Sequence, residues 1–81
     1  MNATSLFDIM ANHVIVAADE TLSMVAAWDG DNMIKYYSLY NYDKFAENDV
    51  YTADEELSID DARAISVIYF EDVHKDMSKA A

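Results

Sequence analysis

The stretch Thr21-Leu22-Ser23-Met24-Val25-Ala26-Ala27-Trp28-Asp29-Gly30-Asp31-Asn32-Met33-Ile34-Lys35-Tyr36-Tyr37-Ser38-Leu39-Tyr40-Asn41-Tyr42 decides the fold of this chain. From Thr21 the side chains sort with period two, Leu22, Met24, Ala26 and Trp28 to one face and Thr21, Ser23, Val25 and Ala27 to the other, which is a strand. Asp29-Gly30 then stands between two apolar runs, and both residues tolerate positive φ, so Asp29-Gly30-Asp31-Asn32 marks a hairpin turn. Met33 to Tyr42 is the return strand, with Ile34, Tyr36, Tyr40 and Tyr42 on one side and Met33, Lys35, Tyr37 and Leu39 on the other. One face is expected to pack on helices, leaving some tyrosine exposed on the other.

Downstream, Asp43 to Asp54 mixes charge with Phe45, Val50 and Tyr51 and reads as a loop with a short third strand around Asp49 to Thr52. Ser58 then caps a long helix, with Asp60 and Asp61 in its first turn at the positive end of the dipole and Lys75 and Lys79 near the negative end. At 100° per residue, Ile59, Ala62, Ile65, Ser66, Tyr69 and Val73 form the stripe that packs on the sheet. Upstream, Thr4 or Ser5 caps a first helix over about residues 5–13, with Asp8 close to capping-box spacing from Ser5 and Leu6, Ile9, Met10 and His13 on one face. Val14-Ile15-Val16 is β-branched, so the helix either continues to Ala18 or gives way there to extended chain. The expected architecture is α+β: one small two-layer domain over residues 1–81, with an N-terminal helix, an antiparallel hairpin or three-stranded sheet, and a long C-terminal helix.

At 81 residues the chain is near the size where one hydrophobic core only just suffices. It has no cysteine, which removes disulfides and thiolate metal sites and favours a reducing, cytoplasmic compartment. Hydrophobic residues at 53% and no proline predict folding rather than disorder. Met1 to Ser5 lacks the positive n-region of an export signal, and no apolar run approaches the roughly 20 residues of a membrane span, so a soluble protein is expected. The net charge is -11, large for a chain of this size. It suits either simple solubility, as in a salt-adapted proteome, or attraction to a basic surface, which would speed association and make it salt-dependent. The same field disfavours direct binding to nucleic acid or to anionic lipid.

No catalytic set emerges. His13 and His74 fall in different helices without metal-ligand spacing, and Ser58 is accounted for by capping. Asp29-Gly30-Asp31-Asn32 resembles the start of a calcium loop, but the position that should hold a bidentate Glu is Tyr40. A single glycine cannot build a phosphate-binding loop. A small acidic carrier protein is rejected too, because the attachment serine of those helical bundles follows aspartate and precedes leucine, whereas Ser58 lies between Leu57 and Ile59 and the hairpin does not suit a bundle. No enzyme activity, cofactor or metal is expected.

What remains is a binding surface. Ten acids lie between Asp29 and Asp61, opposed only by Lys35 and Lys44, and they interleave with Tyr36, Tyr37, Tyr40, Tyr42 and Tyr51. Carboxylates on a rigid scaffold can imitate phosphate spacing and occupy the lysines and arginines that grip nucleic acid. Tyrosines supply rigid contact area. Ile68 lies opposite the packing stripe, in line with Asp61 and Asp72, where it would either enter a partner groove with a basic rim, be covered by the N-terminal segment, or join a self-association interface. The candidate partner-binding residues are Asp29, Asp31, Tyr36, Tyr40, Asp49, Asp54, Glu55, Glu56, Asp60, Asp61, Ile68 and Asp72.

Trp28-Asp29-Gly30, then Lys35-Tyr36, then an Asp-rich segment leading into Ser58-Ile59-Asp60-Asp61-Ala62, resembles the small acidic anti-CRISPR proteins of bacteriophages over about half the chain. The resemblance implies a phage-encoded inhibitor in the host cytoplasm that presents carboxylates to the nucleic-acid-binding surface of a host defence complex. Other phage DNA mimics address restriction enzymes, nucleases or polymerases. The tyrosines from Tyr36 to Tyr42 depart from a purely electrostatic mimic and imply a protein-specific contact as well. The alternative is a small structural or assembly protein, a homodimer that uses the tyrosine-rich strand as an edge.

Overall fold

The computed structural model describes residues 3–80. The elements are β1 (Ala3–Ser5), α1 (Leu6–Asn12), β2 (Val14–Asp19), β3 (Met24–Trp28), β4 (Met33–Asn41), β5 (Lys44–Thr52) and α2 (Ile59–Ala80). The strands form one antiparallel sheet in the order β1-β5-β4-β3-β2. The fold is therefore α+β as expected, with five strands where a hairpin or three were expected.

The hairpin at residues 29–32 closes as its sequence dictates. Gly30 takes φ +83°, and the Asp29 carboxylate accepts the N–H groups of Asp31 at 2.8 Å and Met33 at 3.1 Å. Trp28 Nε1–H donates to the Asp31 carbonyl at 2.9 Å, so the indole braces the turn. The strand before it is shorter than its periodicity suggests. Thr21 to Ser23 are turn residues, because the Asp19 carboxylate accepts the Leu22 N–H at 3.0 Å and Ser23 adopts φ 55° with its N–H on the Glu20 carbonyl.

Ser5 caps α1, its hydroxyl accepting the Asp8 N–H at 3.2 Å. The helix ends at Asn12 and the β-branched run becomes β2, so the extended alternative holds at Val14. A register shift between Ile15 and Ala17 lets both Val16 and Ala17 pack on the α2 face while Ile15 packs on the other.

Strand parity divides the core in two. Met24, Ala26, Ile34 and Tyr36 meet Ala62 and Phe70 of α2 on one face, while Ala27 and Tyr37 meet Ile9 of α1 on the other. The domain is thus two main layers with a short helix on the far face. Small residues let α2 sit close, since Ala26, Ala62 and Ser66 have no exposed surface. The Ser66 hydroxyl is satisfied by donating to the Ala62 carbonyl at 2.8 Å. The helix stripe centres on Ala62, Ser66 and Phe70, with Ile65, Tyr69 and Val73 half-buried beside it, whereas Ile59 is 43% exposed. His74 Nε2 and Asp19 Oδ2, 2.9 Å apart, tie α2 to the end of β2.

Two expectations about the tyrosine strand are overturned. β4 lies between β3 and β5, so it cannot serve as the edge of a homodimer. Tyr36 is 1% exposed, its ring stacked on Tyr69 at a centroid distance of 3.8 Å, so it is a core residue rather than a contact residue. No helix among the described residues is long and apolar enough to cross a membrane.

Candidate functional site

Backbone hydrogen bonds carry the acids of two separate segments to one end of the sheet. The Ala53 N–H donates to the Asn32 carbonyl at 2.8 Å, the Asn32 side-chain amide donates back to the Ala53 carbonyl at 2.9 Å, and the Leu57 N–H donates to the Asp31 carbonyl at 2.9 Å. These bonds hold the β3–β4 turn against the segment between β5 and α2. Ser58 then starts α2 at the same end, its hydroxyl accepting the Asp61 N–H at 3.1 Å. Asp29, Asp31, Asp54, Glu55, Glu56, Asp60 and Asp61 are all exposed there. Arg63 is the base nearest in sequence, and its Nη1 reaches Asp60 at 3.7 Å. The result is an acidic pole whose backbone is held by two main-chain bonds and the Asn32 side-chain amide.

The remaining candidates sort by position. Ile68 and Asp72 lie on the same line of α2 as Asp61 at helical spacing, roughly 10 and 17 Å further along at 1.5 Å per residue. Ile68 is 58% exposed, so no segment among the described residues covers it, and the line runs from the pole along the outer face of the helix. Tyr40 is exposed but stands eight residues up β4 from Asn32, roughly 27 Å away at 3.4 Å per residue, so the structure separates it from the pole. Tyr36 is inside the core. Burial raises its phenol above the ordinary tyrosine value, and the Tyr69 phenol is raised for the same reason, with Asp49 adding to both.

Asp49 has a different task. The 32/53 bond sets the pairing register, so Val50 faces Lys35 across a wide pair and its N–H points away from β4. The Asp49 carboxylate accepts that N–H at 2.8 Å. β1 pairs only with Lys44 to Ala46, so residues 47–52 have no strand neighbour on their outer side among the described residues. A carboxylate on the outward donor and a register shift between Tyr36 and Tyr37 opposite Asn48 blunt this edge against strand addition.

Sequence reasoning undervalued two apolar contributors near the pole. Tyr51 faces Ile34 two residues along the β4/β5 pair from the 32/53 bond and is 40% exposed, and Ile59 opens α2 at 43% exposure. Tyr51 stood in the tyrosine constellation, and Ile59 was assigned to the packing stripe. At 100° per residue Ile59 lies within about 20° of Phe70, so helical phase alone keeps it on the stripe, and its exposure goes with its place as the first residue of α2.

Among the described residues, no group of three or more His, Asp or Glu side chains is placed to hold a metal ion. Comparison with protein-family models, with curated proteins and with solved structures finds no match, and the acidic pole is interpreted from its own geometry.

Proposed function

We propose that the chain is a non-catalytic inhibitor whose acidic pole docks on the basic nucleic-acid-binding surface of a host defence complex, in the manner of an anti-CRISPR protein or DNA mimic. The observation that carries this reading is the pair of segments bonded together at Asn32, Ala53 and Leu57, which brings seven exposed acidic residues to one end of the sheet. Carboxylates gathered on a folded scaffold take up lysine and arginine side chains and compete for the groups that phosphates would use. Tyr51 and Ile59 offer apolar contact beside the charge, and Ile68 with Asp72 extends the surface along α2. Such a mechanism needs no nucleophile, cofactor or metal, and it places the protein in the host cytoplasm.

The test compares the protein with its Asp54→Asn/Glu55→Gln/Glu56→Gln variant as bait in host lysate. The expected result is recovery of a basic nucleic-acid-handling protein by the wild type, loss of it at high salt, and weaker recovery by the variant. Salt-insensitive recovery of the same proteins by both baits would overturn the proposal.

A further inference from the structure

On the face of the sheet opposite α2, a cavity of about 610 Å³ opens beside α1. Thr4, Asp8, Asn12 and His13 line one side of it, and Tyr37 and Glu47 project from the sheet. Tyr37 is 8% exposed, yet its hydroxyl has no hydrogen-bond partner among the described residues and is not sealed from solvent. A phenol this buried ordinarily finds a partner. Burial raises its ionisation above the ordinary tyrosine value, with Lys35 opposing and Glu47 reinforcing the shift, so the group is a neutral O–H at physiological pH.

The other groups are mostly acceptors. Glu47 is the cross-strand neighbour of Tyr37, which puts its carboxylate on the same face as the ring. The Glu47 carboxylate lies 3.4 Å from the Lys35 ammonium, so it is already engaged with a cation. Asp8 has only the Thr4 hydroxyl, at 3.5 Å. The His13 Nδ1 lies 3.2 Å from the Ile9 carbonyl, and since a carbonyl only accepts, Nδ1–H is the donor. In the neutral ring this leaves the Nε2 lone pair free. The Asp8 carboxylate, the Glu47 carboxylate shared with Lys35, an imidazole lone pair, an amide oxygen and a buried phenol suit a ligand with several N–H donors and a positive charge. A bare metal ion is not favoured, because no three-ligand group exists among the described residues.

We propose that this cavity, formed where Asp8 and His13 face Tyr37 and Glu47 across the open side of the sheet, binds a guanidinium or primary ammonium group. The site is separate from the acidic pole and does not rest on the function proposed for that surface.

Titration of the isotope-labelled chain with arginine amide, followed by NMR, tests it. Saturable shifts are expected at the Tyr37 ring and the His13 imidazole, with N-acetylalanine amide, which has neither cationic group, giving none at equal ionic strength. Asp8→Asn/Glu47→Gln should weaken binding by roughly tenfold or more. Tyr37→Phe, which keeps the ring and its packing, should weaken it severalfold while amide dispersion stays native. Asp54→Asn/Glu55→Gln/Glu56→Gln should leave the affinity unchanged, so failure of the pole and failure of this cavity are read separately. A capped tripeptide containing arginine that binds as tightly as arginine amide assigns a protein side chain as the natural source, whereas binding of arginine amide alone assigns a small free cation. Shifts that stay linear in concentration, that sodium chloride reproduces, or that the Tyr37→Phe and Asp8→Asn/Glu47→Gln variants both retain would overturn the proposal.

Discussion

Replacing Tyr36 with alanine should unfold a large fraction of the molecules rather than disturb only an interface. The ring is 1% exposed, stacks on Tyr69 at 3.8 Å and meets Phe70 edge-on at 6.1 Å. Burying a large aromatic side chain removes roughly 150–250 Å² from water, and aromatic to alanine changes in cores cost about 3–5 kcal/mol. A chain of 81 residues at roughly 0.05–0.15 kcal/mol per residue has only about 4–12 kcal/mol in total. Urea unfolding followed by circular dichroism should therefore show the midpoint falling by about 1.5 M or more, given a slope of roughly 1–2 kcal/mol per molar for a chain this small. Tyr36→Phe should cost less than about 1 kcal/mol, because the hydroxyl sits 3.5 Å from Ser66 Oγ, which already has the Ala62 carbonyl. A double-mutant cycle with Tyr69→Ala should return a coupling of about 0.5–1.5 kcal/mol for the stacked pair. An unchanged midpoint for Tyr36→Ala would refute the assignment of this ring to the core.

Gly30→Ala should destabilise by about 1–2 kcal/mol in the same assay, through backbone strain alone, since φ is +83° and a Cβ there would meet nothing within 4 Å. Gly30→Asn should recover part of that loss. Asp19 is held below the ordinary carboxylate value, mainly by its hydrogen bond to His74 and then by the Leu22 N–H. Its contribution is therefore complete above the unfolded pKa of about 4 and is lost as pH falls through the lower folded value. Urea midpoints of the wild type and Asp19→Asn should differ near neutral pH and converge below about pH 3. With a net charge of -11, the thermal midpoint should rise with added sodium chloride, and charge neutralisation at the pole should raise it at low salt and flatten that dependence.

The hairpin was legible because its information is local: an Asp-Gly turn, a capping carboxylate and period-two flanks lie within a few residues of one another. α2 was legible for the same reason, through Ser58, Asp60, Asp61 and the apolar stripe. β5 was not, because Glu47, Asn48 and Asp49 are residues that strands avoid, and it is pairing along β4 that holds them extended. β1 is three residues long and exists through its partner β5. Tyr36 and Tyr40 share a face by parity, but which of them is buried depends on where α2 crosses the sheet, and no local pattern encodes that. The acids near Asp54 and Asp60 were found by their density, whereas the separate role of Asp49 at the strand edge follows from a register that only the folded sheet defines.

The central claim is competition for a phosphate-binding surface, and displacement tests it most directly. A basic protein captured by the wild-type chain is bound to its own labelled nucleic acid, and the chain is titrated in while fluorescence anisotropy is read. The account predicts that the nucleic acid is released stoichiometrically, that the required concentration rises steeply with salt, and that the Asp54→Asn/Glu55→Gln/Glu56→Gln variant releases it far less effectively. A stable ternary complex in which the nucleic acid stays bound, or equal release by the variant, would contradict it.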